Sequence, residues 1–196
     1  MELRAYKNGA LTGEMTVLSV GGGAISVPGV PDAGLPEVYP EKTYAEISDF
    51  CGANRLRLSD YVFLREGEGI RDYLFGIWNT MKQSVSDGLT CTGELPGGLE
   101  VERKAQYLYT RRHIDESPQT RENRLVCAYA FAVAEQNASG GEIVTAPTCG
   151  ASGVMPAALL YMQEERGFSD EAIVRALAAG GVIGNLIKTN ASISGA

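Results

Sequence analysis

The stretch TYAEISDFC, Thr43–Cys51, is where the chain changes its period. Thr43 and Glu46 stand in capping-box spacing, so the Thr43 hydroxyl can accept a first-turn backbone N–H while the Glu46 carboxylate reaches back. Upstream, four prolines from Pro28 to Pro40 interrupt any helical periodicity, as a linker does. Further back, LRAYKNGALTGEMTVLSVGGGAISV, Leu3–Val27, has β-branched runs around Asn8-Gly9 and the triple glycine Gly21, Gly22 and Gly23, which is turn-and-strand chemistry. The expected fold is therefore mainly α. A β-hairpin occupies residues 1–30, a proline-rich linker 31–42 and a helical domain 43–196.

Downstream of the linker, periodicity predicts helices at about Ser59–Glu66, Gly69–Ser86, Leu99–Ile114 and Arg121–Asn137. Tyr73, Ile77, Met81 and Val85 recur at helical spacing, with Leu74 and Trp78 widening the stripe toward a core. In LVCAYAFAVAEQNA, Leu125–Ala138, apolar and small residues run nearly all round, which predicts a central helix with neighbours on several sides. The run EERGFSDE, Glu164–Glu171, reads as a solvated helix–helix turn in which Ser169 caps the next helix.

Composition narrows the function classes. The 196 residues are 44% hydrophobic and 21% charged, as in ordinary globular proteins. A net charge of −7 leaves no basic face for a nucleic-acid backbone, so nucleic acid is not an expected partner. The most apolar stretch, Ala172–Ile187, is interrupted by Arg175 and is short for a bilayer span, so no membrane is expected either. With no signal-peptide pattern in MELRAYKNG, a cytoplasmic location is the default. Cys51, Cys91, Cys127 and Cys149 show no CxxC spacing; Cys51 and Cys127 fall in helical patterns and read as small buried hydrophobes. The single histidine, His113, follows two arginines near the end of a polar helix, where it suits the dipole as a surface cation.

Chemistry concentrates in GGEIVTAPTCGASGVMPAALLYM, Gly140–Met162. A short β-type run enters a loop with hydroxyls at Thr145, Thr148 and Ser152, and Gly150 and Gly153 let a ligand approach the backbone. Pro156 falls in the first turn of the next helix, where its missing N–H costs little and the remaining N–H groups attract a small anion such as a carboxylate. No Gly-Lys-Ser/Thr follows, so this is not a nucleotide P-loop. Taken in isolation, the loop is better explained by a strand–helix connection that needs glycine and a cap. A second segment alters the balance: the last helix carries Gly180 and Gly184 at close-contact spacing, then runs through Lys188 into TNASISGA. There Asn190, Ser192 and Ser194 place hydrogen-bonding groups at a helix end, and two small-polar segments on packed helices can face one pocket.

These two segments, TAPTCGASGVMPAALLY at Thr145–Tyr161 and KTNASISGA at Lys188–Ala196, resemble the catalytic α region of the iron–sulfur-dependent L-serine dehydratases. Weaker similarity follows in the same order at Ser19–Ile25, Ile77–Leu89, Gly93–Ala105 and Ala130–Gly141. The resemblance implies a helical catalytic-domain fragment preceded by the β-hairpin remnant of a β domain. It implies deamination of L-serine to pyruvate and ammonia, with a [4Fe–4S] cluster in the complete enzyme acting as Lewis acid on the substrate hydroxyl. It also assigns Thr145, Thr148, Gly150 and Ser152 to the substrate, with Asn190, Ser192 and Ser194 shaping the pocket, and leaves the general base unnamed. The implied partners are a missing β domain or β subunit and further copies of the chain in a homo-oligomer.

In that family the cluster cysteines follow the NASISGA motif, so no cluster is expected on this chain alone and no turnover without one. Cys149 stands where the family has another residue. Two other readings stay open: a pyridoxal-phosphate-dependent β-eliminating lyase, for which Lys188 is the one lysine near the site, and a non-catalytic amino-acid-binding or assembly module.

Overall fold

The computed structural model describes residues 1–21, 24–31, 37–111, 114–145 and 149–190, with backbone alone at 19–21 and 24. Strands β1 (Glu2–Lys7) and β2 (Ala10–Thr16) form an antiparallel hairpin. Asn8 and Gly9 turn it with φ of 51° and 80°, the two positive values a type I′ turn requires. A second antiparallel pair follows, β3 (Leu18–Gly21) with β4 (Ala24–Ser26). Every residue of the β1–β2 hairpin is exposed, so that hairpin contributes nothing to the buried core.

Among the described residues seven helices follow: α1 (Tyr44–Asn54), α2 (Leu58–Glu66), α3 (Gly69–Thr90), α4 (Ala105–Thr110), α5 (Pro118–Ala138), α6 (Val154–Arg166) and α7 (Asp170–Asn190). The expected capping box is formed, Thr43 Oγ1 accepting from Glu46 N at 3.3 Å and Glu46 Oε2 from Thr43 N at 3.2 Å. Ser169 caps α7, its Oγ accepting from Ala172 N at 3.3 Å.

Three apolar clusters hold the helices together. Ile47, Tyr61, Val62, Ala178 and Val182 join α1 and α2 to α7. Trp78, Met81, Ile173 and Leu177 join α3 to α7. Val85, Ala105, Leu125, Tyr129, Ala132, Val133, Ala157 and Tyr161 join α3, α4 and α6 to α5, which has the several-sided surroundings its composition predicted. Trp78 is fully buried and its Nε1 donates to Asp170 at 2.9 Å, so the largest apolar ring also ties α3 to the start of α7. Gly88 makes the α3–α5 approach possible: a Cβ there would stand 2.3 Å from the Ala132 carbonyl oxygen.

Four expectations are corrected. The helix expected over Leu99–Ile114 is confined to Ala105–Thr110, because Glu94 pairs with Glu102 in an antiparallel bridge and the turn between them uses φ values of 131° at Gly97 and 51° at Glu100. Cys127 is exposed rather than buried, since α5 directs Leu125, Ala128, Tyr129 and Ala132 inward and turns position 127 out. The β-type run Ile143–Val144 pairs with no strand among the described residues and packs instead against the α3–α5 and α3–α7 clusters. The close-contact role given to Gly180 and Gly184 is not filled by backbone: Gly180 faces the Met155 methyl, and nothing lies within 4 Å of a Cβ built at Gly184.

Helix α7, at 21 residues, is longer than the apolar stretch that marks it and is long and apolar enough to cross a membrane by length and composition. Here one face packs in the core, and Arg175 pairs with Asp60 on α2 at 2.6 Å.

Candidate functional site

The loop between α5 and α6 is fixed at both ends by contacts the sequence can afford only with glycine or small residues. At the α5 end, Gly141 N donates to Gln136 O at 2.8 Å, and a Cβ on Gly141 would stand 2.1 Å from Gln136 Oε1. Ile143 and Val144 then sink into the core and deliver Thr145 to the surface. At the α6 end, Ser152 N donates to Cys149 O at 3.2 Å and Val154 N to Ala151 O at 3.1 Å, which closes the turn. Gly153 rests directly on α5: a Cβ there would be 2.4 Å from the Ala130 carbonyl oxygen.

Within this frame Ser152 is 8% exposed, and its Oγ is buried without a hydrogen-bond partner. An orphaned hydroxyl costs about 1–3 kcal/mol, a cost that a bound ligand oxygen would offset. Gly150 is exposed, and among the described residues nothing lies within 4 Å of a Cβ built on it. The positive end of the α6 dipole lies one residue beyond, with Pro156 buried in its first turn. Thr148 lies outside the described residues.

Asn190 closes α7, exposed, with its Nδ2 donating to Leu186 O at 2.8 Å. It lies at the end of the α6–α7 pair that also carries the loop. The α6 start meets α7 where Met155 touches Gly180. At about 1.5 Å per residue, Asn190 is about 15 Å further along the helix. Ser192 and Ser194 lie outside the described residues, as does His113.

The cysteines do not fit an iron–sulfur cluster. Cys51 is on α1, Cys91 caps the end of α3 with Gln136 Nε2 at 3.6 Å from its Sγ, Cys127 faces out from α5 and Cys149 is in the loop. Among the described residues no three His, Cys, Asp or Glu side chains gather where they could hold a metal ion. Tyr129, a buried phenol on α5, donates to Glu164 on α6; burial and that hydrogen bond raise its pKa, which holds it as a proton donor rather than a base.

Among the described residues, sequence reasoning missed three buried polar groups, one of them Ser59 on α2, 6% exposed and within 3.5 Å of Arg175 Nη1. Glu135 is 4% exposed on α5, and Ser84 is 3% exposed on α3 with its Oγ unpartnered. A lone carboxylate in the apolar α5 run, and the polar positions 79, 80, 83, 84 and 87 at helical spacing on α3, were the available signals.

Residues 15–196 match the family model described as serine dehydratase alpha chain. The chain is similar to the L-serine dehydratase of Streptomyces coelicolor, 38% identical over all of this chain and 46% of that protein. It is likewise similar to that of Haemophilus influenzae, 39% identical over 81% of this chain and 37% of that protein, and to L-serine dehydratase 1 of Escherichia coli, 34% identical over 100% and 46%. The chain thus spans less than half the length of these relatives.

Proposed function

This chain belongs to the serine dehydratase alpha chain family, and from that premise we propose that it forms the carboxylate-binding side of an L-serine dehydratase pocket. The observation that carries the reading is the buried, unpartnered Ser152 hydroxyl beside the α6 N-terminus. The substrate carboxylate accepts from Ser152 and from the Thr145 and Thr148 hydroxyls, with Gly150 leaving room for it. In this reading Asn190, Ser192 and Ser194 supply further hydrogen-bonding groups that shape the pocket.

The reaction removes the α-proton and the β-hydroxyl of L-serine to give an aminoacrylate, which tautomerises and is hydrolysed to pyruvate and ammonia. What these residues do is fix the carboxylate, so that the α-hydrogen and hydroxyl are presented in one orientation. The [4Fe–4S] cluster of the complete enzyme takes its thiolates from outside this cysteine set, and the chain alone is inactive. The working form is cytoplasmic, homo-oligomeric and completed by a β domain or subunit. Titrating L-serine into the ¹⁵N-labelled chain tests the pocket: amide shifts at Thr145 and Gly150–Gly153 support it, and none at saturating ligand refutes it.

A further inference from the structure

Beside the Glu142–Thr145 segment, α3 and Glu142 border an open cleft of about 270 Å³ whose described lining is Asn79, Thr80, Gln83, Ser84, Asp87 and Glu142. Its charge is one-sided, with two carboxylates and no cation on the lining. Asp87 Oδ1 is held by Gln83 Nε2 at 2.7 Å, which leaves its second oxygen for a ligand. Ser84, one of the lining residues, is 3% exposed, and its buried Oγ has no hydrogen-bond partner. A buried hydroxyl is normally satisfied, so this one marks where a ligand atom belongs.

The lining chemistry selects the occupant. Carboxylates, hydroxyls and side-chain amide oxygens are all acceptors, and an ammonium group offers three donors and a positive charge. A free carboxylate or phosphate would meet Asp87 and Glu142 as like charges. The volume is about nine times a water's share of liquid, far more than a bare metal ion fills, and suits a small organic cation with part of its hydration. Glu142 is three residues from Thr145, at most about 10 Å of extended chain. The cleft therefore adjoins the loop that the preceding section gives to the carboxylate.

We infer that this cleft holds the ammonium group of a small amino compound, with Asp87 and Glu142 as counter-charges and Ser84 accepting at the floor. The inference rests on the L-serine reading for the identity of the amine, but its geometry is independent of the loop.

The test is an NMR titration of the ¹⁵N-labelled chain with three probes: ethanolamine, which has an amine and no carboxylate; D-glycerate, which has a carboxylate and no amine; and L-serine. Ethanolamine and L-serine are expected to shift amides at residues 79–87 and 142, and D-glycerate to leave them in place. The Asp87→Asn, Glu142→Gln double variant, altered only at exposed rim positions, should weaken ethanolamine binding at least tenfold with an unchanged circular dichroism spectrum. Ethanolamine shifts absent from α3, glycerate shifts equal to them, or an unchanged affinity in the double variant would overturn the inference. L-Serine shifts confined to residues 145–153 would refute the ammonium cleft and leave the dehydratase reading standing; ethanolamine shifts at α3 with no L-serine response anywhere would do the reverse.

Discussion

The carboxylate of Glu135, on α5, caps Ala105 at the first turn of α4: its Oε1 accepts from Ala105 N at 3.1 Å and from Lys104 N at 2.5 Å. The contact is 4% exposed and joins two of the family-like segments, Gly93–Ala105 and Ala130–Gly141. A six-residue helix cannot hold itself in water, so α4 depends on this carboxylate and on Ala105 in the core.

Glu135→Ala should therefore cost about 2–4 kcal/mol, because the buried Ala105 N–H and the part-buried Lys104 N–H lose their acceptor. Glu135→Gln keeps an acceptor oxygen and should cost about half as much. Urea unfolding of both variants measures this; equal losses would mean that the capping bonds are not what the site contributes.

At Gly88, an added methyl would meet the Ala132 carbonyl at 2.3 Å, and backbone on both sides cannot yield. Gly88→Ala should destabilise by about 3 kcal/mol. Gly76→Ala, in the same helix with nothing within 4 Å, should stabilise by up to about 1 kcal/mol through helix propensity. Thermal melts that moved both variants the same way would contradict the close α3–α5 approach.

Acid sensitivity has a defined origin. Hydrogen bonds from Gln163 and Trp78 lower the pKa of Asp170, and the hydrogen bond from Arg175 lowers that of Asp60. A carboxyl with a depressed folded pKa contributes stability that is present above its unfolded value, near 4, and is lost as pH falls through the folded value. Stability should fall as pH drops below about 4, and Asp170→Asn should flatten that slope while lowering stability at neutral pH. An unchanged slope in urea melts across this range would remove Asp170 from the account.

The cysteine positions predict that anaerobic incubation with iron and sulfide leaves this chain without a stoichiometric cluster absorbance and without pyruvate release from L-serine. Cluster absorbance with turnover above the blank would show that these four thiols converge.

Local signals were legible, and the competition between elements was not. The Thr43–Glu46 box and the Ser169 cap depend on residues three apart, which a sequence displays directly. The short α4 was overextended because PGGLEV carries apolar residues at plausible helical spacing, while the Glu94–Glu102 bridge that claims them is a tertiary contact. An apolar surface all round α5 concealed which side would face out, and so misplaced Cys127. In the stripe on α3, Trp78, Met81 and Val85 are buried as their spacing implies, while Tyr73, a turn from the helix start, is exposed. The hydroxyls of the α6 loop were visible as chemistry, but the burial that leaves Ser152 unpartnered comes from Gly153 sitting on Ala130.

The central claim, that the Ser152 loop positions L-serine for deamination, is tested most directly in a full-length setting. This chain replaces its counterpart in one of the matched L-serine dehydratases, and pyruvate formation from L-serine is followed anaerobically with and without Ser152→Ala. The account predicts turnover in the chimaera and at least a tenfold lower kcat/KM in the Ser152→Ala form with the fold intact by circular dichroism. A folded, active chimaera whose kcat/KM is indifferent to Ser152→Ala would contradict it.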